Sequence, residues 1–256
     1  MSNDRFDVSD QVVIITGAGQ GIGREYAHAF AEAGAIPIVA ELNGQNAHKV
    51  AAEIEGKGGK ALAVETDVGS EESVDAMVAQ TLDMHGRIDV LINNAAIFSV
   101  LPRRGFDDIP LDEWNRVMHV NITGSYLCAK AVVPAMRQAG GGRIINISSG
   151  TVPQGKTGLM HYVTSKAAIV GMTRVMAREL GDDNINVNAV MPGYTETEVQ
   201  HAGMNDGGRQ AVQDMRILKR RETPDDLIGT VMFLASPASA FITGQSVACC
   251  GGEVML

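Results

Sequence analysis

Val12-Val13-Ile14-Ile15-Thr16-Gly17-Ala18-Gly19-Gln20-Gly21-Ile22-Gly23 decides how this chain folds. Its first half is a short, nearly unbroken apolar run, the composition of a parallel strand covered on both faces. Its second half crowds glycines into a turn and opens an amphipathic stretch over 21–33. Glycine permits the tight turn, and a helix starting there directs unpaired N–H groups and positive dipole above the strand. A pyrophosphate suits that position. The spacing alone is weak evidence, because glycine turns also join strands to helices for purely structural reasons.

The next strand candidate ends at Glu41, the distance at which a dinucleotide-binding unit places an acid for the ribose. A carboxylate there accepts hydrogen bonds from ribose hydroxyls and repels a 2′-phosphate. Gln20, inside the turn, supplies no compensating cation. This pair of features favours NAD over NADP. The competing reading of Glu41 alone is a solvated charge at a strand end.

Working outward, apolar runs of strand length alternate with longer amphipathic segments. Strands are predicted over 12–16, 36–40, 61–66, 90–93, 143–148, 186–190 and 245–248, and helices over 21–33, 44–56, 71–85, 111–139, 161–181 and 224–234. Pro37 fits the second strand only near its start. Such alternation implies right-handed crossovers and an α/β, doubly wound parallel sheet. No repeat or linker divides the sequence, so 1–256 reads as a single domain. The stretch 191–222 is rich in Gly, Met and polar residues without a strong period, which suggests a loop that covers substrate.

The composition excludes several functions. The 256 residues are 45% hydrophobic and 20% charged, so a sizeable core is available, but aromatics are only 4% and small aliphatics must fill it. A net charge of -9 argues against nucleic acid or an anionic membrane as partner. No 18-residue apolar run is present, and the start, Met1 to Phe6, is polar. Three cysteines, two of them adjacent at Cys249 and Cys250, read as reduced thiols in a cytoplasmic protein. The six histidines show no ligand spacing, so no metal site is expected.

The glycine turn, Asn93-Asn94-Ala95-Ala96, Asn121, Ser149, Tyr162-Val163-Thr164-Ser165-Lys166 and Pro192-Gly193 occur in an order and spacing that resembles the short-chain dehydrogenase/reductase family. The resemblance spans about 12–252 and implies a Rossmann-like domain of about seven parallel strands, assembled as a homotetramer or homodimer. It implies cofactor contacts at Gly17, Gln20, Gly21, Ile22 and Glu41. Asp67 and Val68 would meet the adenine, and Asn93 would border the cofactor beyond the fourth strand. Pro192, Thr195 and Thr197 would lie near the nicotinamide carboxamide, and Tyr162 and Lys166 would also touch the cofactor. Asn121, Ser149, Tyr162 and Lys166 correspond to the family's catalytic tetrad, Ser149 being thirteen residues before Tyr162. Ala96, Thr195 and Cys250 depart from the family pattern, where glycine, a branched aliphatic residue and aspartate are common.

The chemistry needs these residue types. Hydride transfer from an alcohol carbon to nicotinamide also requires a proton acceptor, and a phenol with pKa about 10 needs its phenolate stabilised. Tyr162 and Lys166, four apart on a helix, face one side, so the ammonium and the oxidised nicotinamide would both depress that pKa. Ser149 would orient the substrate oxygen, and Asn121 would hold a water in a relay from Lys166. Taken singly, a strand-end serine is a turn residue and a helical Tyr/Lys pair is packing. His161 points about 100° from Tyr162 and is assigned to packing; Cys128 is assigned to the core.

Phe98, Val152, Tyr194, Val199 and Met204 are expected to line the substrate pocket. This favours a neutral, hydrophobic, cyclic or aryl secondary alcohol or its ketone, although Arg103, Arg104, His201 and Arg209 keep an anionic substrate open. The alternatives are an NADPH-dependent reductase of ketones or β-ketoacyl thioesters, which Glu41 disfavours, and a non-catalytic dinucleotide sensor, which should lack part of the tetrad.

Overall fold

In the computed structural model, which describes residues 4–256, seven strands form one parallel sheet in the order β3-β2-β1-β4-β5-β6-β7. The strands are β1 (Val12–Thr16), β2 (Ile36–Glu41), β3 (Leu62–Glu65), β4 (Val90–Asn93), β5 (Gly142–Ile147), β6 (Ile185–Pro192) and β7 (Ser246–Cys249). The helices are α1 (Gly21–Glu32), α2 (Gly44–Gly56), α3 (Glu71–His85), α4 (Leu111–Met118), α5 (Gly124–Gln138), α6 (Thr151–Gln154), α7 (Met160–Glu179), α8 (Asp206–Met215) and α9 (Asp225–Ala235). The polar start lies partly outside the described residues, at positions 1–3.

The unbroken apolarity of the strands follows from burial on both faces. Val13 and Ile15 of β1 join one core with Tyr26 and Phe30 of α1 and Leu227 and Val231 of α9. Val12 and Ile14 point to the other, with Met77 of α3 and Cys128 and Val132 of α5. Alternate side chains of one strand therefore serve two helical layers. This is the doubly wound α/β architecture anticipated above.

Pro37 is the second residue of β2 and pairs with Val13, while β3 joins only from Ile38 onward. The N–H of Ile36 bonds toward β1, at Gln11 O. The missing donor of Pro37 therefore faces the side that β3 has not reached, and no ladder bond is lost.

Two features differ from the expected pattern. The predicted helix over 111–139 is continuous in direction but contains a π-turn at His119–Thr123, between α4 and α5, which carries Asn121. The 191–222 stretch begins within β6 and contains α8. Gly207 and Gly208 hide that helix from propensity, but Asn205 caps it by accepting from Gly208 N at 2.8 Å.

The sheet order reverses between β1 and β4, so their following loops diverge and leave a crevice at the carboxyl ends of the strands. The site described next occupies that crevice.

Candidate active site

A cavity of about 540 Å³ runs from Glu41 and the glycine turn, past Asp67 and Val68, to Ser149, Tyr162 and Lys166. Pro192, Thr195 and Thr197 close it from the segment after β6. Gly17, Gln20, Gly21 and Ile22 form the floor at the α1 end.

The glycine turn is held from β4. Asn94 donates through Nδ2 to the carbonyls of Thr16 (2.9 Å) and Gly17 (3.2 Å), and the Thr16 hydroxyl accepts from the N–H groups of Asn94 and Ala95, both at 3.0 Å. Gly17 has φ +65°, and a Cβ there would lie 2.9 Å from Ala95 Cα. A Cβ on Gly23 would strike the Gly17 carbonyl and the Asn94 amide. Close approach requires both glycines, and the positive φ requires Gly17 as well.

Two carboxylates already meet this turn. Glu41 accepts from Gly19 N and from Asn43 N, each at 3.1 Å. Glu198 accepts from Gly21 N, the first residue of α1, at 2.8 Å. The first turn of α1 contains no acid of its own and Gln20 makes no side-chain cap, so its positive end takes its negative partner from outside the helix, here Glu198.

At the other end of the cavity, Tyr162 is 7% exposed and Lys166 only 3%. The Lys166 ammonium donates to Ile147 O at 2.7 Å and lies 5.8 Å from the centre of the Tyr162 ring. Burial pulls Lys166 down to about 8. Burial also pushes the Tyr162 phenol up to about 12, with the Ser149 hydroxyl pulling the other way. In the protein alone, desolvation therefore dominates the phenol, and Ser149 is the group that opposes it. Ser149 Oγ is itself 3.0 Å from Thr151 Oγ1, at the start of α6.

An aromatic wall stands over this end. The Phe98 ring is 4.4 Å from that of Tyr162 and 4.9 Å from that of His201, and His201 meets Tyr194 edge-on at 5.3 Å. Burial first, and the Arg209 charge second, lower the His201 pKa, so the imidazole is neutral at neutral pH. Val199 and Met204 also line the cavity, as do Arg103 and His201.

Expectations for Asn93 and Val152 are corrected, and the other residues singled out take the following places. Asn93 does not border the cavity; its amide is buried and bonds Asn146 Oδ1 (2.9 Å) and Ser125 O (3.2 Å), whereas Asn94 faces the crevice. Asn121 lies behind the cavity wall, bonding Ile97 N (2.8 Å), Ile97 O (3.3 Å) and Ser165 Oγ (3.0 Å). Val152 faces a separate surface groove, and Arg104 and Arg209 stand outside the cavity. His161 is fully buried, 3.2 Å from Glu113, and turned from the site. All three cysteines are unpaired; Cys128 is buried with its thiol pushed up to about 12 by desolvation.

Residues missed by the sequence reading include Ser148, whose hydroxyl donates to Lys166 O at 2.8 Å, and Ser165, whose hydroxyl donates to Tyr162 O at 2.7 Å. Both are neighbours of residues already singled out, but nothing in a sequence distinguishes a serine bonded to backbone from one facing ligand. Glu198 was missed for a similar reason, being one acid in an aperiodic stretch.

The donor set fits a dinucleotide. Helix N–H groups are offered for a diphosphate, a carboxylate stands at the end of β2, and an apolar, protein-buried tyrosine and lysine lie at the far end. No helix among the described residues is long and apolar enough to cross a membrane, and those residues hold no cluster of metal-ligating side chains.

Comparison with known proteins agrees with this geometry. A family model described as enoyl-(acyl carrier protein) reductase matches residues 17–253. A 3-oxoacyl-[acyl-carrier-protein] reductase of Synechocystis is 39% identical over 249 residues, covering 96% of this chain and 97% of that protein. A short-chain type dehydrogenase/reductase from Mycobacterium marinum superposes with a TM-score of 0.91 at 38% identity, covering 99% of both chains. A 7α-hydroxysteroid dehydrogenase, solved with NADH and 7-oxo glycochenodeoxycholic acid, superposes with a TM-score of 0.92 at 32% identity, over 100% of this chain and 99% of that one. With that match in sequence and in fold, the chain belongs to the short-chain dehydrogenase/reductase family of oxidoreductases.

Proposed function

We propose that this protein is an NAD-dependent dehydrogenase that interconverts a neutral, hydrophobic secondary alcohol, cyclic or aryl, and its ketone. The observation that carries the reading is the burial of Tyr162, Lys166 and Ser149 together at one end of a cavity whose other end is the glycine turn and Glu41. When bound, the nicotinamide supplies the hydride acceptor and, in its oxidised form, a positive charge near the phenol.

In this reading Ser149 donates to the substrate oxygen and fixes its position beside the Tyr162 hydroxyl. Tyr162 takes the alcohol proton in oxidation and returns it in reduction. Its high intrinsic pKa keeps it protonated until a neighbouring positive charge favours the phenolate. Lys166, anchored on Ile147 O, supplies one such charge and a donor toward the ribose. Asn121 acts one layer back, fixing Ile97 and the wall that follows it.

NAD is preferred because the Glu41 carboxylate sits against the turn and is followed by the apolar, exposed Leu42. A 2′-phosphate would meet like charge without a cation from either residue. The NADH bound in the related hydroxysteroid dehydrogenase is consistent with this reading. The aromatic wall with its neutral His201 supports an uncharged substrate body. Residues 191–222 are the segment we assign to covering it, within a single domain.

The likeness to the Synechocystis reductase supports a second reading, reduction of a β-ketoacyl thioester with NADPH. A screen of secondary alcohols, ketones and β-ketoacyl thioesters with both cofactors, followed at the nicotinamide absorbance, separates the two. Thioester reduction with NADPH as the dominant activity would overturn the first. Tyr162→Phe is the control, and full turnover by that variant would sink the mechanism. We further infer a cytoplasmic homotetramer or homodimer. Exposed apolar residues on α5 and α7 (Tyr126, Met160 and Val175) support self-association, and light scattering tests it.

A further inference from the structure

We propose that Glu198 is an internal competitor for the cofactor diphosphate, and that dinucleotide binding must expel it from the N-terminus of α1. The proposal rests on the dinucleotide reading above. Glu198 Oε1 accepts the Gly21 N–H at 2.8 Å. That group is one of the donors without an intrahelical partner at the positive end of a twelve-residue helix with no acid in its first turn. A carboxylate oxygen there satisfies the same donor and dipole that a phosphate oxygen would.

The contact is not a stray side chain reaching across solvent. The whole turn of chain around Glu198 lies over Gly21: a Cβ on that glycine would be 3.4 Å from Val199 Cγ2 and 3.7 Å from Thr197 Oγ1. Thr197 braces the turn by accepting from Val199 N at 3.2 Å. Glu41 already holds the neighbouring Gly19 N–H. A doubly charged diphosphate arriving here therefore meets two carboxylates, of which only Glu41 has a reason to stay.

Expelling Glu198 has a consequence further along. Three residues on, His201 packs against Phe98 and Tyr194 in the substrate wall, and Ala202 N bonds Ser99 O at 2.8 Å. The segment that blocks the diphosphate is continuous with the one that shapes the substrate end. Cofactor arrival and rearrangement of that wall are thereby coupled.

The test is calorimetric titration of wild type, Glu198→Gln and Glu198→Ala with ADP-ribose, which contains the diphosphate, and with adenosine, which does not. Both variants should bind ADP-ribose about two- to tenfold more tightly than wild type, with adenosine affinity unchanged. Melting temperatures check that the variants are folded, and Glu198→Gln preserves the side-chain shape if Glu198→Ala is not. Unchanged or weaker ADP-ribose binding overturns the proposal, as does an equal gain for adenosine. Failure of ADP-ribose to bind any form would instead remove the dinucleotide reading, and this proposal with it.

Discussion

The Thr195 hydroxyl donates to Glu222 Oε1 at 2.8 Å, and the backbones of the two residues form an isolated parallel bridge. Beneath them Arg216, 3% exposed, donates to Tyr194 O at 2.7 Å and lies 3.3 Å from Glu222 and 3.8 Å from Glu253. Two buried carboxylates and one guanidinium thus hold the Tyr194-Thr195 step. Removing the guanidinium would leave two carboxylates uncompensated. Arg216→Leu should therefore destabilise the fold by about 3–5 kcal/mol, measured by urea unfolding.

The same cluster carries a pH signature. Burial raises the Glu222 pKa above its ordinary value despite the Thr195 hydrogen bond and the Arg216 charge. Between its unfolded and folded pKa values the folded state binds the extra proton, so this group's contribution to stability declines as pH rises through that window. Glu222→Gln removes the ionisation. The stability of the variant relative to wild type should improve from pH 4 to neutrality; a constant difference would contradict the sign.

Tyr162→Phe should lower turnover by about two to four orders of magnitude while leaving cofactor binding close to wild type. In the native enzyme, oxidation requires the phenolate and should rise with pH, while reduction requires the phenol and should fall across the same range. Lys166→Met removes a positive charge and should move the rising limb to higher pH. An unmoved limb would mean that Lys166 does not act on the phenol.

Glu41→Ala combined with Leu42→Arg should shift the ratio of kcat/KM from NAD toward NADP by about one to two orders of magnitude, since a repulsive charge is removed and an attractive one added. A ratio that stays fixed would dismiss Glu41 as the discriminating residue.

Asn121→Ala leaves both polar groups of the Ile97 backbone without their side-chain partner, at a cost of about 1–3 kcal/mol. Because Ile97 leads into Phe98, the substrate KM should rise. Asn121→Asp retains the acceptor for Ile97 N and should recover part of the loss. Equal KM values in all three forms would limit Asn121 to stability.

The parallel sheet was legible because strands buried on both faces carry an unbroken apolar signal, and glycine and asparagine mark the helix ends independently. The cavity-lining residues from Gly17 to Lys166 were legible as a set because most sit just after a strand or in the first two turns of a helix. What failed were decisions between neighbours. Asn93 and Asn94 differ by one position on an extended segment, and such a step reverses the face. The chemistry of the two amides is identical, so only the register of β4 assigns Asn94 to the glycine turn. Helix α8 was hidden by Gly207 and Gly208 because propensity counts residues and not the cap and packing that offset them. The π-turn at Asn121 has no periodic mark at all. Burial, which raises the Tyr162 pKa in the protein alone, is likewise invisible in a sequence that displays only the lysine four residues away.

The anchoring of Thr195 on Glu222 means that the stretch between them is fastened at both ends to the same spot. Val199 to Asp214 therefore lies within a closed excursion that leaves the Thr195–Glu222 bridge and returns to it. Exchange of that stretch for one of another length or composition leaves both fastenings and the tyrosine intact. The range of substrates accepted should thus be a replaceable property of the protein, adjustable by grafting without rebuilding the machinery beneath.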